Sequence, residues 1–201
     1  MPSSSQNNPL LPEQPASGRL PRRSERSTPV VMGIDPGTRV VGYGAIAVTA
    51  EGLKLVAAGE LRQAASRAIP LRLAGLRADM DELLARLDPD LVVVEEAFSY
   101  RNVQSALRIG EARGVMLSSA AACGAEVTQL SPSAARKRVV GNGSADKTQV
   151  AKMVAAALKL DEIPGTLDVS DALALAIAAA YNMDREERLA PKTETRAARG
   201  S

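Results

Sequence analysis

Four carboxylates in this chain are spaced so that one fold could gather them: Asp35, Glu95, Asp168 and Asp171. Asp35 closes the apolar run Val30–Ile34 and Glu95 closes Leu91–Val94. Both runs read as strands, and in an open α/β sheet sites collect at strand ends. Asp168 and Asp171 open an almost wholly apolar helical stretch, Ala172–Ala180. A spacing of three puts them on one helical face, with Cβ atoms about 5–6 Å apart. Acids converging with no imidazole nearby make a hard oxygen-ligand site, suited to Mg²⁺ or Mn²⁺ and poorly suited to zinc or copper. Each acid also has an ordinary structural role open to it. Asp35 before Pro36-Gly37 fits a turn, Glu95 a solvated strand end, Asp168 an N-cap, and Asp171 a dipole-favoured place in a first turn. Their joint occurrence at the ends of elements expected side by side is the stronger signal.

Composition narrows the chemistry further. Among 201 residues there is no histidine, and Cys123 is the one cysteine. Zinc fingers, Cys/His zinc sites, thiol–imidazole pairs, Ser-His-Asp triads and an internal disulfide framework are therefore excluded. Aromatic residues make up 2% (Tyr43, Tyr100, Tyr181 and Phe98), too few for a platform that stacks single-stranded bases. No apolar run reaches the roughly 18–20 residues of a membrane span. Residues 1–28, rich in Ser, Pro, Asn and Gln, lack a secretory h-region, so a cytoplasmic location is expected.

Three segments are expected: a disordered extension 1–28, a globular domain 29–183, and a disordered tail 184–201 of mixed charge. The two tails carry nine of the 25 basic and six of the 23 acidic residues, leaving 16 basic and 17 acidic residues, a net charge of −1, in 29–183. A polyanion partner would therefore need basic residues clustered locally.

The elements that must position the acids follow from periodicity. Val30–Asp35, Val40–Val48 and Leu53–Leu61 read as strands with short links, an antiparallel meander, with Gly42 and Gly44 where a backbone must come close or bulge. Leu73, Leu76, Met80, Leu83 and Leu87 recur at helical spacing over 69–87, stopped at Asp88-Pro89. Leu91–Val94 has the continuous β-branched character of a strand covered on both faces. A helix over 103–122, a strand over 127–130 and helices over 131–139, 145–159 and 168–182 complete an α/β chain with a mixed five-stranded sheet.

Gly33-Ile34-Asp35-Pro36-Gly37-Thr38-Arg39 with Gly42-Tyr43-Gly44 resembles the opening of the RuvC family of Holliday-junction resolvases. Further blocks agree in order: Val94–Phe98 followed by Asn102 and Ser105-Ala106-Leu107, then Gly110–Gly114, then Val139–Lys147, and finally Asp168-x-x-Asp171-Ala172-Leu173-Ala174. The resemblance covers about 30–183. It implies a ribonuclease-H-like fold, a homodimer, and Mg²⁺-dependent cleavage of four-way DNA junctions leaving 5′-phosphate and 3′-hydroxyl ends. Asp35, Glu95, Asp168 and Asp171 fall on the family's acidic positions. Some members carry His where Asp168 stands, and the carboxylate retains metal ligation. Two Mg²⁺ about 3.5–4 Å apart would bridge the scissile phosphate, one activating a water and the other stabilising the leaving oxygen; Mn²⁺ should substitute. A branch-migration helicase partner of the RuvA and RuvB type is implied by the resemblance alone.

A local basic cluster, Arg136-Lys137-Arg138 followed by Lys147 and Lys152, flanks the turn Gly141-x-Gly143, with Ser144 placed to cap the next helix. By resemblance, Arg136 and Lys147 are DNA contacts and Phe98 is a loop aromatic that stacks near the junction. Ala106, Gly110 and Gly114, four apart, form a smooth stripe that either seats the helix on the sheet or lets two subunits approach. An actin-like ATPase shares the opening motif but needs two such domains. An RNA nuclease and a non-catalytic junction-binding module would also accommodate parts of this pattern, although the length and the last acidic block disfavour the first and four intact acids the second.

Overall fold

The computed structural model describes residues 27–96 and 103–189. The chain opens with β1 (Val30–Asp35), β2 (Val40–Thr49) and β3 (Gly52–Arg62), the expected antiparallel meander. Then come α1 (Ile69–Leu87), β4 (Leu91–Glu95), α2 (Val103–Ala122) and β5 (Glu126–Leu130). The last elements are α3 (Pro132–Val140), α4 (Lys147–Leu158) and α5 (Leu167–Leu189). β1 pairs with β4, and β4 with β5, in parallel, so the mixed sheet has the order β3-β2-β1-β4-β5.

Helices cover both faces of this sheet, and strand alternation decides which side chain meets which helix. On β1 and β4, Val31 and Val93 join a core with Val169, Leu173 and Ile177 of α5 and with residues of α3 and α4. Met32, Ile34, Val92 and Val94 join the opposite core with Leu76 and Met80 of α1 and Met116 of α2. Gly33 faces α5 so closely that a Cβ there would collide with the Ala172 carbonyl. Asp35 and Glu95 carry the same parity as Val31 and Val93. The pleat therefore sends both acids to the α5 side, at the same end of two parallel strands.

Helix boundaries follow local chemistry. α1 starts with Pro70 in its first turn and stops at Asp88, whose left-handed φ of 43° is followed by Pro89. α3 is capped by the Ser131 side chain and closes on Gly141 at φ 83°. α4 is capped by Asp146, not by Ser144. Asp146 accepts from the Gln149 amide at 2.8 Å, and the Gln149 side chain accepts from the Asp146 amide at 3.1 Å, a reciprocal box that starts the helix later.

Two further expectations need adjustment. α5 continues to Leu189, so the tail assigned to 184–201 begins as helix. Asp184 through Leu189 contain no Gly or Pro, and an established helix propagates through Arg and Glu at little cost without an apolar stripe. On α2, Gly110 and Gly114 are exposed and a Cβ on either would meet nothing within 4 Å, so this stripe does not seat the helix on the sheet. Ala112, Met116, Ser119 and Ala120 do that instead. Residues 1–26, Phe98 and 190–201 lie outside the described residues.

Candidate active site

The carboxylate oxygens of Asp35, Asp168 and Asp171 approach within 4.8 Å of one another at the end of β1. Asp35 arrives by strand parity and the two others by the first turns of α5. Gly42 pairs with Asp35 across β1 and β2, and a Cβ on it would overlap the Asp168 carbonyl. The bare backbone of Gly42 is therefore what lets the helix start against the sheet. Thr166, just ahead of α5, donates its hydroxyl to Glu60 on β3, which also pairs with Arg62. Glu60 sits opposite Gly42 in the β2–β3 register, so this contact pins the approach to α5 beside the acids.

Glu95 stands next to this trio. β1 and β4 are in register at Ile34 and Val94, and Asp35 and Glu95 are the next residue on each strand. The Glu95 carbonyl accepts a hydrogen bond from Arg113 Nε of α2 at 3.0 Å, and the Glu96 amide donates to Leu130 of β5 at 2.9 Å. Both bonds hold the strand end in place. Arg113 is the residue that motif reading left without a role. It stood in the Gly110–Gly114 block, but nothing in the spacing told which strand its guanidinium would reach.

Bringing these acids together is costly. Burial pushes the Asp35 carboxyl up to about 8, and the charges of Glu95, Asp171 and Asp168 add to the effect while Lys147 opposes it. Glu95 is pushed up to about 7, first by burial and then by Asp171 and Asp168, against the pull of Arg136 and Lys147. Lys147 Nζ lies 2.7 Å from Asp171 Oδ2. Partial burial lowers its pKa, but the Asp171 hydrogen bond and the charges of Asp171, Asp168 and Asp35 outweigh that and hold the ammonium above its usual range. Of the basic residues read from the sequence, Arg136 and Lys147 thus face the acidic cluster.

Protons on Asp35 and Glu95 relieve part of this charge in the free protein, and a divalent cation would relieve it while leaving the acids ionised. The donors are all carboxylate oxygens, and among the described residues no nitrogen or sulfur ligand joins them. That set fits Mg²⁺ or Mn²⁺.

Residues 31–179 match the family model described as crossover junction endodeoxyribonuclease RuvC. The chain belongs to the RuvC family. A curated RuvC from Heliobacterium modesticaldum is 44% identical over 154 residues, covering 77% of this chain and 95% of the relative. One from Dehalococcoides mccartyi is 44% identical over 147 residues, covering 73% and 89%. The solved structure of Thermus thermophilus RuvC in complex with Holliday junction substrate aligns with a TM-score of 0.73 at 34% identity, over 78% of this chain and 96% of that one. The yeast mitochondrial Holliday junction resolvase shares the fold at a TM-score of 0.62 and 13% identity, over 79% and 80%. The ribonuclease-H-like sheet is thus that of the family.

Proposed function

We propose that the chain is a metal-dependent endodeoxyribonuclease that resolves four-way (Holliday) DNA junctions. The observation that carries this reading is the convergence of Asp35, Asp168 and Asp171, with Glu95 beside them, at one end of a RuvC-family sheet. These four residues would hold Mg²⁺, two ions per site, with Mn²⁺ able to replace it. When bound, such ions supply an activated water and charge stabilisation on a phosphodiester, leaving 5′-phosphate and 3′-hydroxyl ends.

The chain's own residues do the rest. The α5 start and the β1 and β4 ends fix the carboxylates before any ligand arrives, so little ordering remains for the moment of binding. Arg113 holds the Glu95 strand end. Lys147 neutralises Asp171 in the free protein; released from it, the ammonium can meet a DNA phosphate. Arg136, close enough to lower the Glu95 pKa, presents a second cation to the backbone. Phe98 is assigned to stacking on a base near the junction by its place in the family motif.

A junction with two-fold symmetry is best cut by two symmetric sites, which favours a homodimer. α2 offers the surface: Val103 is 73% exposed and Leu107 57% exposed, and Gly110 and Gly114 continue the same stripe without side chains. The branch-migration helicase partner and the cytoplasmic location rest on the family, together with the finding that no helix among the described residues is long and apolar enough to cross a membrane. The decisive experiment offers a synthetic four-way junction, a linear duplex and an RNA hairpin to the chain with Mg²⁺. Paired symmetric nicks in the junction alone are expected. Equal cutting of all three would refute junction resolution.

A further inference from the structure

Behind the β1–β2 turn lies a second charged site that the acidic centre does not use. It is a cleft of about 550 Å³ whose walls include Gly37, Thr38, Arg39, Arg72, Ser105 and Arg108. Three guanidinium-bearing residues line it, and no carboxylate does among the described residues. Arg72 is the unusual member. It sits in the first turns of α1 and is only 9% exposed, yet its Nε is buried with no hydrogen-bond partner among the described residues. A guanidinium withdrawn from water and left with an unmade bond is expensive unless something negative visits it. Among the described residues Arg108 has only a loose, exposed contact with Glu111 at 3.4 Å, and Arg39 is exposed.

Beside the apolar side chains of Val40, Ile69 and Ile109, the cleft holds further groups suited to an anion. Ile69 begins α1, so this helix N-terminus contributes its positive end. Thr38 and Ser105 add hydroxyl donors. The volume lies within the roughly 300–1,000 Å³ of ordinary ligand pockets, larger than a lone ion needs. The β1–β2 turn that forms one wall follows directly on Asp35, so it joins the cleft to the strand end that carries this acid.

We propose that this cleft is a second phosphate-binding site, separate from the scissile one, that takes a backbone phosphodiester of the bound junction on the Arg72 guanidinium, with Arg39 and Arg108 at its rim. The inference rests on the junction reading above. It gives the enzyme a grip on the strand outside the metal site, where a contact can set the position of the DNA without touching the reacting atoms.

The test uses full-length protein in Ca²⁺, with junctions carrying one neutral methylphosphonate at a time along each strand, and affinity measured at several salt concentrations. For the unsubstituted protein, one position away from the scissile step should weaken binding about tenfold, as loss of a charge-assisted contact does. The double variant Arg39→Ala/Arg108→Ala, which keeps Arg72, should lose part of its sensitivity to that same position, and the slope of log affinity against log salt should become shallower. Arg72→Gln should be indifferent to that position and lose about 0.9 of the slope, one phosphate, and Arg72→Lys should restore part of the affinity. If Arg72→Gln melts much earlier than the parent, the rim variant decides, because both its residues are exposed or loosely paired. Identical slopes and identical methylphosphonate profiles for parent and rim variant would overturn the cleft while leaving the junction reading intact. Failure of the parent to prefer a junction over duplex would overturn the junction reading itself.

Discussion

The backbone carbonyl of Asp168 occupies the space where Gly42 would carry a side chain, and the Asp168 Cβ lies 3.2 Å from that point. The strand and the helix that bring the acids together therefore meet with no room between them. Gly42→Ala should push the start of α5 away from the sheet. Overpacking of this kind costs about 1–3 kcal/mol, so the protein should still fold, with a lowered melting temperature. A shift of about 1 Å at a reacting centre costs on the order of 100-fold, so junction cleavage should fall far more than junction binding. Parallel melting, binding and cleavage measurements check this; retained full cleavage would show that α5 tolerates the displacement.

The acids themselves should separate catalysis from binding. Asp35→Asn, Glu95→Gln or Asp168→Asn removes a ligand oxygen's charge, and metal affinity should drop by at least about 100-fold, more than loss of a supporting residue around a metal site costs. The same change relieves repulsion toward a DNA phosphate. Binding should survive or tighten while turnover is lost. Ca²⁺ should support binding with little cleavage, and Mn²⁺ should replace Mg²⁺. Undiminished activity in excess chelator would count decisively against the metal assignment.

Much of this site was legible in the sequence because parity and spacing are local. The apolar runs before Asp35 and Glu95 marked strands, the Asp168–Asp171 spacing marked one helix face, and Gly42 and Gly44 marked either a close approach or a bulge, of which the structure shows the close approach. What stayed hidden depends on tertiary geometry. Arg113 reaches Glu95 across the space between α2 and β4, and nothing in its own segment names that partner. The α2 stripe left two roles open because a smooth helix face looks the same whether it packs on a sheet or faces outward; only the position of the sheet decided it. The α5 end was misplaced because a helix already formed continues through Asp184–Leu189 without the apolar repeat that marks a helix in sequence.

Acidity at the site sets a pH dependence with a definite sign. The native Asp35 carboxyl, at about 8 against an ordinary value of 3.8, holds its proton over a range where the unfolded chain has lost it. Between about pH 4 and pH 8 the native state therefore binds more protons, and metal-free stability should fall as pH rises, levelling off above about 8. Asp35→Asn should flatten that fall and melt higher than the parent at pH 8. Metal must displace these protons, so below about pH 7 Mg²⁺ affinity should rise up to about 100-fold per pH unit if Asp35 and Glu95 both release one. Melting curves in chelator and metal titrations across pH 6–9 test both signs.

Lys147 and Arg136 should report on DNA rather than on metal. Lys147→Ala removes the 2.7 Å partner of Asp171, and Arg136→Ala removes a cation that lowers the Glu95 pKa. Each should weaken junction binding and reduce the salt slope by about 0.9, one phosphate contact apiece. The Lys147 change also leaves Asp171 unopposed. It should therefore tighten Mg²⁺ binding in the absence of DNA, which a contact with DNA alone would not do. Binding that is unchanged at every salt concentration would make these residues a solvated face.

The exposed stripe of α2 gives the last expectation. Leu107 projects from the same face as Val103, Gly110 and Gly114, where a Cβ on either glycine meets open space, so the stripe's apolar area stays in water unless a second copy covers it. Each glycine allows a facing helix to come closer than a larger residue would, and two antiparallel copies of the stripe are self-complementary about a two-fold axis. Leu107→Glu places a charge at the centre of that contact and, by symmetry, two charges against each other. It should convert dimer to monomer in sedimentation while leaving the melting curve of the single subunit close to the parent's, because Leu107 packs in neither core. Coordinated nicking should then give way to single, unpaired nicks. A variant that remains dimeric would place the interface elsewhere and leave the α2 stripe without its partner.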